Sequence, residues 1–286
     1  MPDIVYLDGQ FVPKEQAKIS VFDRGFLFAD AVYEVTAVID GRLIDFNGHF
    51  QRLQRSCREL GLSLPMTQEQ LTNIHCQLIE QNHLHEGLIY LQITRGTDSS
   101  RFFDFPSSSV PSTVVAFVQH STVVNHPNAK KGISVISVED IRWQRCDIKT
   151  VALLAACLAK HHAHQQGADD AILIKDGYIT EGSSSNFFII NHDNEIITRP
   201  LSQDILPGIT RQAIIQLAQE NGLRIIERLL TLDEAKKAKE AFISSATTLI
   251  WPVISIDNEL VNQGEVGELS QRLREIYLDK VTQQNE

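Results

Sequence analysis

Three Asp-Gly pairs constrain the fold of this chain more than any other feature: Asp8-Gly9, Asp40-Gly41 and Asp176-Gly177. Asp-Gly supplies two successive residues that tolerate positive φ, as a two-residue hairpin turn demands. Ile4–Leu7 leads into the first pair. Val32–Ile39 and Arg42–Phe46 flank the second, and Ala171–Ile174 and Tyr178–Thr180 flank the third. These runs are apolar and largely β-branched, so antiparallel hairpins are expected in both halves. Helical periodicity lies between them. Phe50, Leu53, Cys57 and Leu60 share one face of His49–Leu60, with Gly61 as a stop, and Leu71, Ile74, Leu78 and Ile79 do the same for Gln68–Asn82. Leu88–Thr94, Thr113–Val118, Ile133–Val138 and Asn186–Ile190 read as strands. Val151–Gln165, Ile209–Glu220 (with Gly222 beyond its end) and Leu269–Val281 read as helices, and Thr231 with Glu234 suggests a capping box.

Strands and helices do not alternate rhythmically, so a mixed α+β class is expected rather than a doubly wound parallel sheet. Residues 1–120 read as one α+β domain and 131–286 as a second. The polar stretch 121–130, with Asn125, Pro127 and Asn128, reads as the linker. The charge balance, 26 basic against 36 acidic residues, lacks the basic clustering that a nucleic-acid partner requires. No apolar run approaches the roughly 20 residues that span a bilayer. The start, Met1-Pro2-Asp3, is not a signal peptide, so a cytoplasmic protein is expected. Cys57, Cys76, Cys146 and Cys157 match no zinc spacing and read as reduced thiols. His161, His162 and His164 lie on one helix without an HExxH pattern and read as a solvated face; no metal is expected.

Four segments combine polar residues with turn positions. Asp140–Thr150 joins a strand to a helix and holds Lys149. A lysine at such a junction is ordinarily a solvated surface residue. Burial and nearby cations would instead free its amine for nucleophilic use. Arg142 and Arg145 are either those cations or ion-pair partners of Asp140 and Asp147. Thr180–Asn186 is rich in small hydroxyl residues, which admit a ligand close to the backbone; an ordinary serine-rich loop reads the same way. Leu206–Arg211 opens a helix whose N–H groups and dipole suit a phosphate, although many such turns bind nothing. Ser244–Thr248 is a further hydroxyl-rich turn.

Taken in order, Glu139–Thr150 (EDIRWQRCDIKT), Thr180–Asn186 (TEGSSSN) and Leu206–Arg211 (LPGITR) resemble the class IV aminotransferases, the fold type IV enzymes that use pyridoxal 5′-phosphate (PLP). The pattern is nearest to the D-amino-acid transaminases. Tyr33-Glu34-Val35, His49–Leu53 and Phe242–Val253 add to the resemblance, which runs from Asp23 to about Gly267. It implies a smaller N-terminal α/β domain, a larger barrel-like C-terminal domain and a homodimer. It also implies roles. Lys149 would carry PLP as a Schiff base and move the substrate proton. Glu181 would face the ring nitrogen, and Arg52 would clamp the phosphate with Ile209, Thr210 and Thr247. Leu206 would pack on the ring, with Ser184 nearby. Tyr33, Val35, Arg101, Ser245 and Ala246 would line the substrate side. An amino donor and a 2-oxo acid acceptor would be the small-molecule partners.

One departure concerns substrate. The D-amino-acid transaminases carry Arg-x-His on a loop that binds the α-carboxylate. Here Arg101 takes the arginine's place, and Phe103 stands where the histidine would be. A phenyl ring donates no hydrogen bond. The expectation is that Arg101 still binds the carboxylate in a more apolar pocket. Arg95 is a rival whose position just after a strand suits a structural ion pair. Same-fold alternatives are an (R)-amine transaminase, favoured by Phe103, an aminodeoxychorismate lyase and, less well supported, a branched-chain aminotransferase. A PLP-binding module without turnover is the alternative of another class.

Overall fold

The computed structural model describes residues 3–283. The chain divides into two compact units: one runs to Val123 and takes in Ile148–Ala152, and the other is Val124–Asp147 with the chain from Leu153 onward.

The first unit holds β1 (Ile4–Leu7), β2 (Gln10–Pro13), α1 (Arg24–Phe28), β3 (Ala31–Ile39), β4 (Arg42–Leu43), α2 (Phe46–Glu59), α3 (Gln68–Gln81), β5 (Gly87–Thr94) and β6 (Val114–His120). Its six strands form one antiparallel sheet in the order β2-β1-β6-β5-β3-β4. Two of the Asp-Gly pairs turn its hairpins, with φ of 45° and 92° at Asp8-Gly9 and 52° and 72° at Asp40-Gly41. One sheet face packs on α2 and α3 through Val32, Val38, Ile89, Leu91 and Ile93 against Phe50, Leu53, Cys57, Leu71 and Leu78. The other face carries the stacked rings of Tyr33, Tyr90 and Phe117.

Two boundaries differ from expectation. Only Arg42–Leu43 pairs with β3, and α2 begins at Phe46, three residues before the expected start at His49, after Asp45 in the left-handed region. Val151 is expected from sequence to open a helix. It pairs with β3 instead, its amide donating to the Ala31 carbonyl, next to the Val32–Thr150 bridge.

α3 encloses a buried histidine. His75 is buried, its Nδ1 lies 2.7 Å from the Leu71 carbonyl, and burial lowers its pKa to about 4. The folded pKa lies below the unfolded one. The stability it confers is therefore full above pH 6.5 and lost as pH falls through 4. His75→Phe should remove about 3 kcal/mol of that acid sensitivity. Urea unfolding followed by circular dichroism at pH 7 and pH 4 checks this; equal acid sensitivity in both proteins would refute it.

The second unit holds α4 (Pro127–Lys131), β7 (Ile133–Glu139), α5 (Leu154–Gln165), β8 (Asp170–Lys175), β9 (Tyr178–Gly182), β10 (Asn186–Ile190), β11 (Ile196–Thr198), α6 (Ile209–Glu220), β12 (Ile225–Glu227), α7 (Leu232–Lys236), β13 (Glu240–Ser245), β14 (Leu249–Ile256), β15 (Glu259–Leu260) and α8 (Glu268–Gln283). The sheet order is β12-β11-β10-β13-β14-β7-β8-β9, with β15 on β14. Most pairs are antiparallel; β14-β7, β7-β8 and β11-β12 are parallel. Asp176-Gly177 turns the β8–β9 hairpin at φ of 52° and 81°. One sheet face packs Ile133, Ile172, Phe187, Ile189 and Ile243 together, and the other packs Phe188, Phe242 and Ile250 on α6 and α8. The polar stretch read as a linker holds α4, a single turn begun by Pro127.

Candidate active site

In the first unit, the backbone of Lys149 is held from two sides. Its carbonyl accepts the Tyr33 amide at 3.0 Å, and its amide donates to Ser56 Oγ of α2 at 3.3 Å. The half-buried side chain places Nζ 4.1 Å from the centre of the Tyr33 ring. Tyr33 and Val35 occupy the half-buried face of β3, while Glu34 points the other way, into the core. Arg52 meets it there: Nε donates to Oε1 at 2.8 Å and a terminal nitrogen to Oε2 at 2.7 Å. His49 Nδ1 lies 2.8 Å from Oε2. Glu34 is desolvated, yet Arg52 and His49 hold its carboxyl down at about 2. The structure thus brings Lys149, Tyr33 and Arg52 into one unit. It adds Glu34, His49 and Ser56, to which the sequence reading assigns no role.

The carboxylate-loop residues separate by their partners. Arg95 Nε donates to Asp30 at 2.7 Å, and its terminal nitrogens bond the carbonyls of Leu60 and Gly61. That is a structural ion pair, in keeping with the sequence reading. Arg101 is exposed, stands 5.0 Å from the Phe28 ring centre and 5.5 Å from that of Phe103, and has no carboxylate partner among the described residues.

In the second unit, three motifs converge on Glu181. The side chain is buried, and burial raises its carboxyl to about 7 against the pull of Arg142 and the Leu206 amide. Arg142 donates to Oε1 at 2.5 Å, Asn186 Nδ2 to Oε2 at 2.9 Å, and the Leu206 amide to Oε2 at 3.1 Å. Arg142 is itself held by Asp140 through two bonds of 2.9 and 2.8 Å, and Asp140 by Thr180 Oγ1 at 2.7 Å. Arg145 pairs with Asp147 at 3.0 Å. Both arginines are therefore ion-paired, the second of the two readings above. Asn186 also donates to the Leu206 carbonyl at 2.9 Å and lies against Gly208, where a Cβ would sit 2.0 Å from its Oδ1. A side chain there would collide with Asn186, so the start of α6 sits close against the start of β10.

α6 begins at Ile209 after Gly208, with no side-chain cap, and Thr210 is buried in its first turn. The leading amides of such a helix lack intrahelical partners. Ser184 is exposed in the turn between β9 and β10, and Leu206 and Ile209 are half-buried. Ser245 Oγ lies 2.9 Å from the hydroxyls of both Thr247 and Thr248, and Ala246 completes that turn. Leu249, which opens β14 directly after this turn, is buried at φ 55°, a strained conformation for a branched side chain.

The chemistry of these residues fits PLP in each unit. The first offers an amine and a guanidinium; the second offers an uncapped helix start and a buried carboxylate braced by three donors. The buried hydroxyls of Ser185, just before β10, and Ser244, on the neighbouring β13, have no hydrogen-bond partner among the described residues. Those polar atoms are available to a ligand.

Residues 31–256 match the family model of the class IV amino-transferases. The chain is 38% identical over 271 residues to a D-alanine aminotransferase of Staphylococcus aureus (strain COL), covering 95% of each protein. It is 36% identical over 279 residues to a D-alanine aminotransferase of Listeria monocytogenes, covering 98% of this chain and 96% of the other. Among solved structures, a branched-chain amino acid aminotransferase from Escherichia coli superposes with a TM-score of 0.88 at 25% identity, over 100% of this chain and 96% of that one.

Proposed function

This chain belongs to the class IV aminotransferases, a PLP-dependent family, and we propose that it moves an amino group between a D-amino acid and a 2-oxo acid. The donor would be of the D-alanine or D-glutamate type, with pyruvate or 2-oxoglutarate accepting. The observation that carries this is identity: 36–38% to D-alanine aminotransferases along nearly the whole chain, against 25% to a branched-chain enzyme of the same fold. Shared fold therefore does not point to branched-chain substrates.

Bound PLP supplies a ring that draws in the electron pair of the substrate Cα–H bond. The chain supplies the rest. Lys149 would hold the cofactor, and its amine would carry the substrate proton. Glu181 would favour a positive charge at the ring nitrogen. Arg52, the Ile209 and Thr210 amides and Thr247 would serve the phosphate, and Leu206 and Ser184 the ring. Tyr33, Val35, Ser245 and Ala246 would serve the substrate side.

Arg101 binds the substrate carboxylate in this reading. Its guanidinium lies against Phe28 and Phe103 and has no carboxylate partner among the described residues, whereas Arg95 is committed to Asp30. The test is a panel of D-amino acids, L-amino acids and (R)-amines, run on wild type and Arg101→Ala and read by conversion of bound PLP to its amine form. Wild type should turn over D-alanine in preference to L-alanine. Arg101→Ala should raise KM for D-alanine about 10- to 100-fold, the worth of a charge-assisted bond, and spare (R)-amines. Preference for L-amino acids would overturn the substrate reading. Wild-type preference for (R)-amines would favour the alternative that Phe103 suggests.

The protein is a cytoplasmic homodimer in this reading. No helix among the described residues is long and apolar enough to cross a membrane. Ile141, Trp143, Leu154 and Leu158 are exposed on the second unit, and Phe102, Phe103 and Phe105 on the first. Burial of such side chains against a second copy of the chain is what a homodimer would supply. Sedimentation velocity should give one species of twice the 32.2 kDa chain mass, and a monomer would refute it.

A further inference from the structure

The inward face of β3 is an unusual place for a carboxylate. Glu34 is 3% exposed, and Val32, Thr36 and Val38 on the same face are buried with it. Arg52 and His49, one turn apart on α2, turn into the same core and close on it. A buried ion pair is a poor way to stabilise a fold, because apolar residues of similar volume do as well or better. The surrounding core is built of leucine, isoleucine and valine, so the charged trio calls for a reason other than stability.

Its geometry supplies one. The side-on pair with Glu34 fixes the plane of the Arg52 guanidinium before any anion arrives. His49 grips the same oxygen, Oε2, that accepts the Arg52 terminal nitrogen. Desolvation lowers the pKa of this ring, so it adds no charge there. A neutral ring facing a carboxylate through Nδ1 carries its single proton on that nitrogen. His49 thus acts as a fixed donor that stops Glu34 from rotating. Ser56, one turn beyond Arg52, holds the Lys149 amide from the same helix.

We propose that Glu34 and His49 are positioning residues that hold Arg52 in place for the phosphate of the cofactor. This rests on the assignment of Arg52 to the phosphate made above. Preorganisation of this kind raises affinity by removing the ordering penalty at the moment of binding.

The test compares PLP with pyridoxal, which lacks the phosphate, by absorbance titration of the cofactor-stripped full chain. Wild type should bind PLP far more tightly than pyridoxal. His49→Leu should weaken PLP about tenfold or more, with pyridoxal changed less than about twofold. His49→Asn places an amide N–H near the position of Nδ1 and should restore the wild-type ratio. Circular dichroism establishes that each variant is folded. Equal weakening of both ligands would assign His49 a general packing role and overturn the proposal, as would no change in either. A wild type that binds PLP no better than pyridoxal would overturn the phosphate reading itself, whatever the variants do.

Discussion

Replacing Lys149 by alanine should abolish transamination and leave the fold in place. The backbone anchors of this residue, to Tyr33 and Ser56, need no side chain. The side chain is half-buried, and its amine 4.1 Å above the Tyr33 ring is worth about 0.5–1 kcal/mol. Stability should therefore fall by no more than that. Turnover should fall by about 10⁴-fold, the upper end of what a positioned proton-transfer group contributes. Two measurements separate these effects: thermal unfolding by circular dichroism, and conversion of bound PLP by D-alanine. Borohydride reduction adds a third, since it should fix the cofactor to Lys149 in wild type and to nothing in Lys149→Ala. Labelling of a different lysine, or more than about 1% residual turnover, would end the assignment.

How much of this was legible in the sequence depends on how local each contact is. The Asp8-Gly9, Asp40-Gly41 and Asp176-Gly177 turns announced themselves because two adjacent residues carry the whole backbone requirement. α6 could be placed at Ile209–Glu220 because a glycine before it, an apolar stripe within it and Gly222 after it are all local signals. The start of α5 could not. Val151 and the residues after it favour helix, but Thr150 and Val151 are drawn to Val32 and Ala31, far away in sequence. The candidate site divides in the same way. The family resemblance assigns roles to Lys149, Glu181 and Arg52, because motif order reflects chemistry. It assigns none to Glu34, His49 and Ser56, and apolar periodicity counts the residues that fit and ignores those that do not. A period of two on β3 sets Glu34 beside Val32 and Thr36 on the inward face. That misfit was the available signal.

Glu181 yields the other large effect, and here the sign of a pH dependence decides between causes. Glu181→Gln removes the charge that would hold a cation at the ring nitrogen. It also puts an amide N–H₂ where Arg142, Asn186 and Leu206 all donate. Turnover should fall about 10²- to 10³-fold, as it does when a preorganised electrostatic partner is lost, and KM should move by less than about threefold. The deficit should be flat with pH, because glutamine does not titrate. Arg142→Met should behave differently. Burial already raises the Glu181 carboxyl to about 7, with Arg142 the main opposing pull. Without that guanidinium the carboxyl rises further and is neutral at pH 7. The charge then appears only as pH increases, so activity should be low at neutral pH and climb in alkali. Steady-state kcat from pH 6 to 9 distinguishes the two profiles. A flat Arg142→Met profile would mean that Arg142 only shapes the loop. A Glu181→Gln enzyme within about threefold of wild type would mean that this carboxylate never meets the cofactor ring.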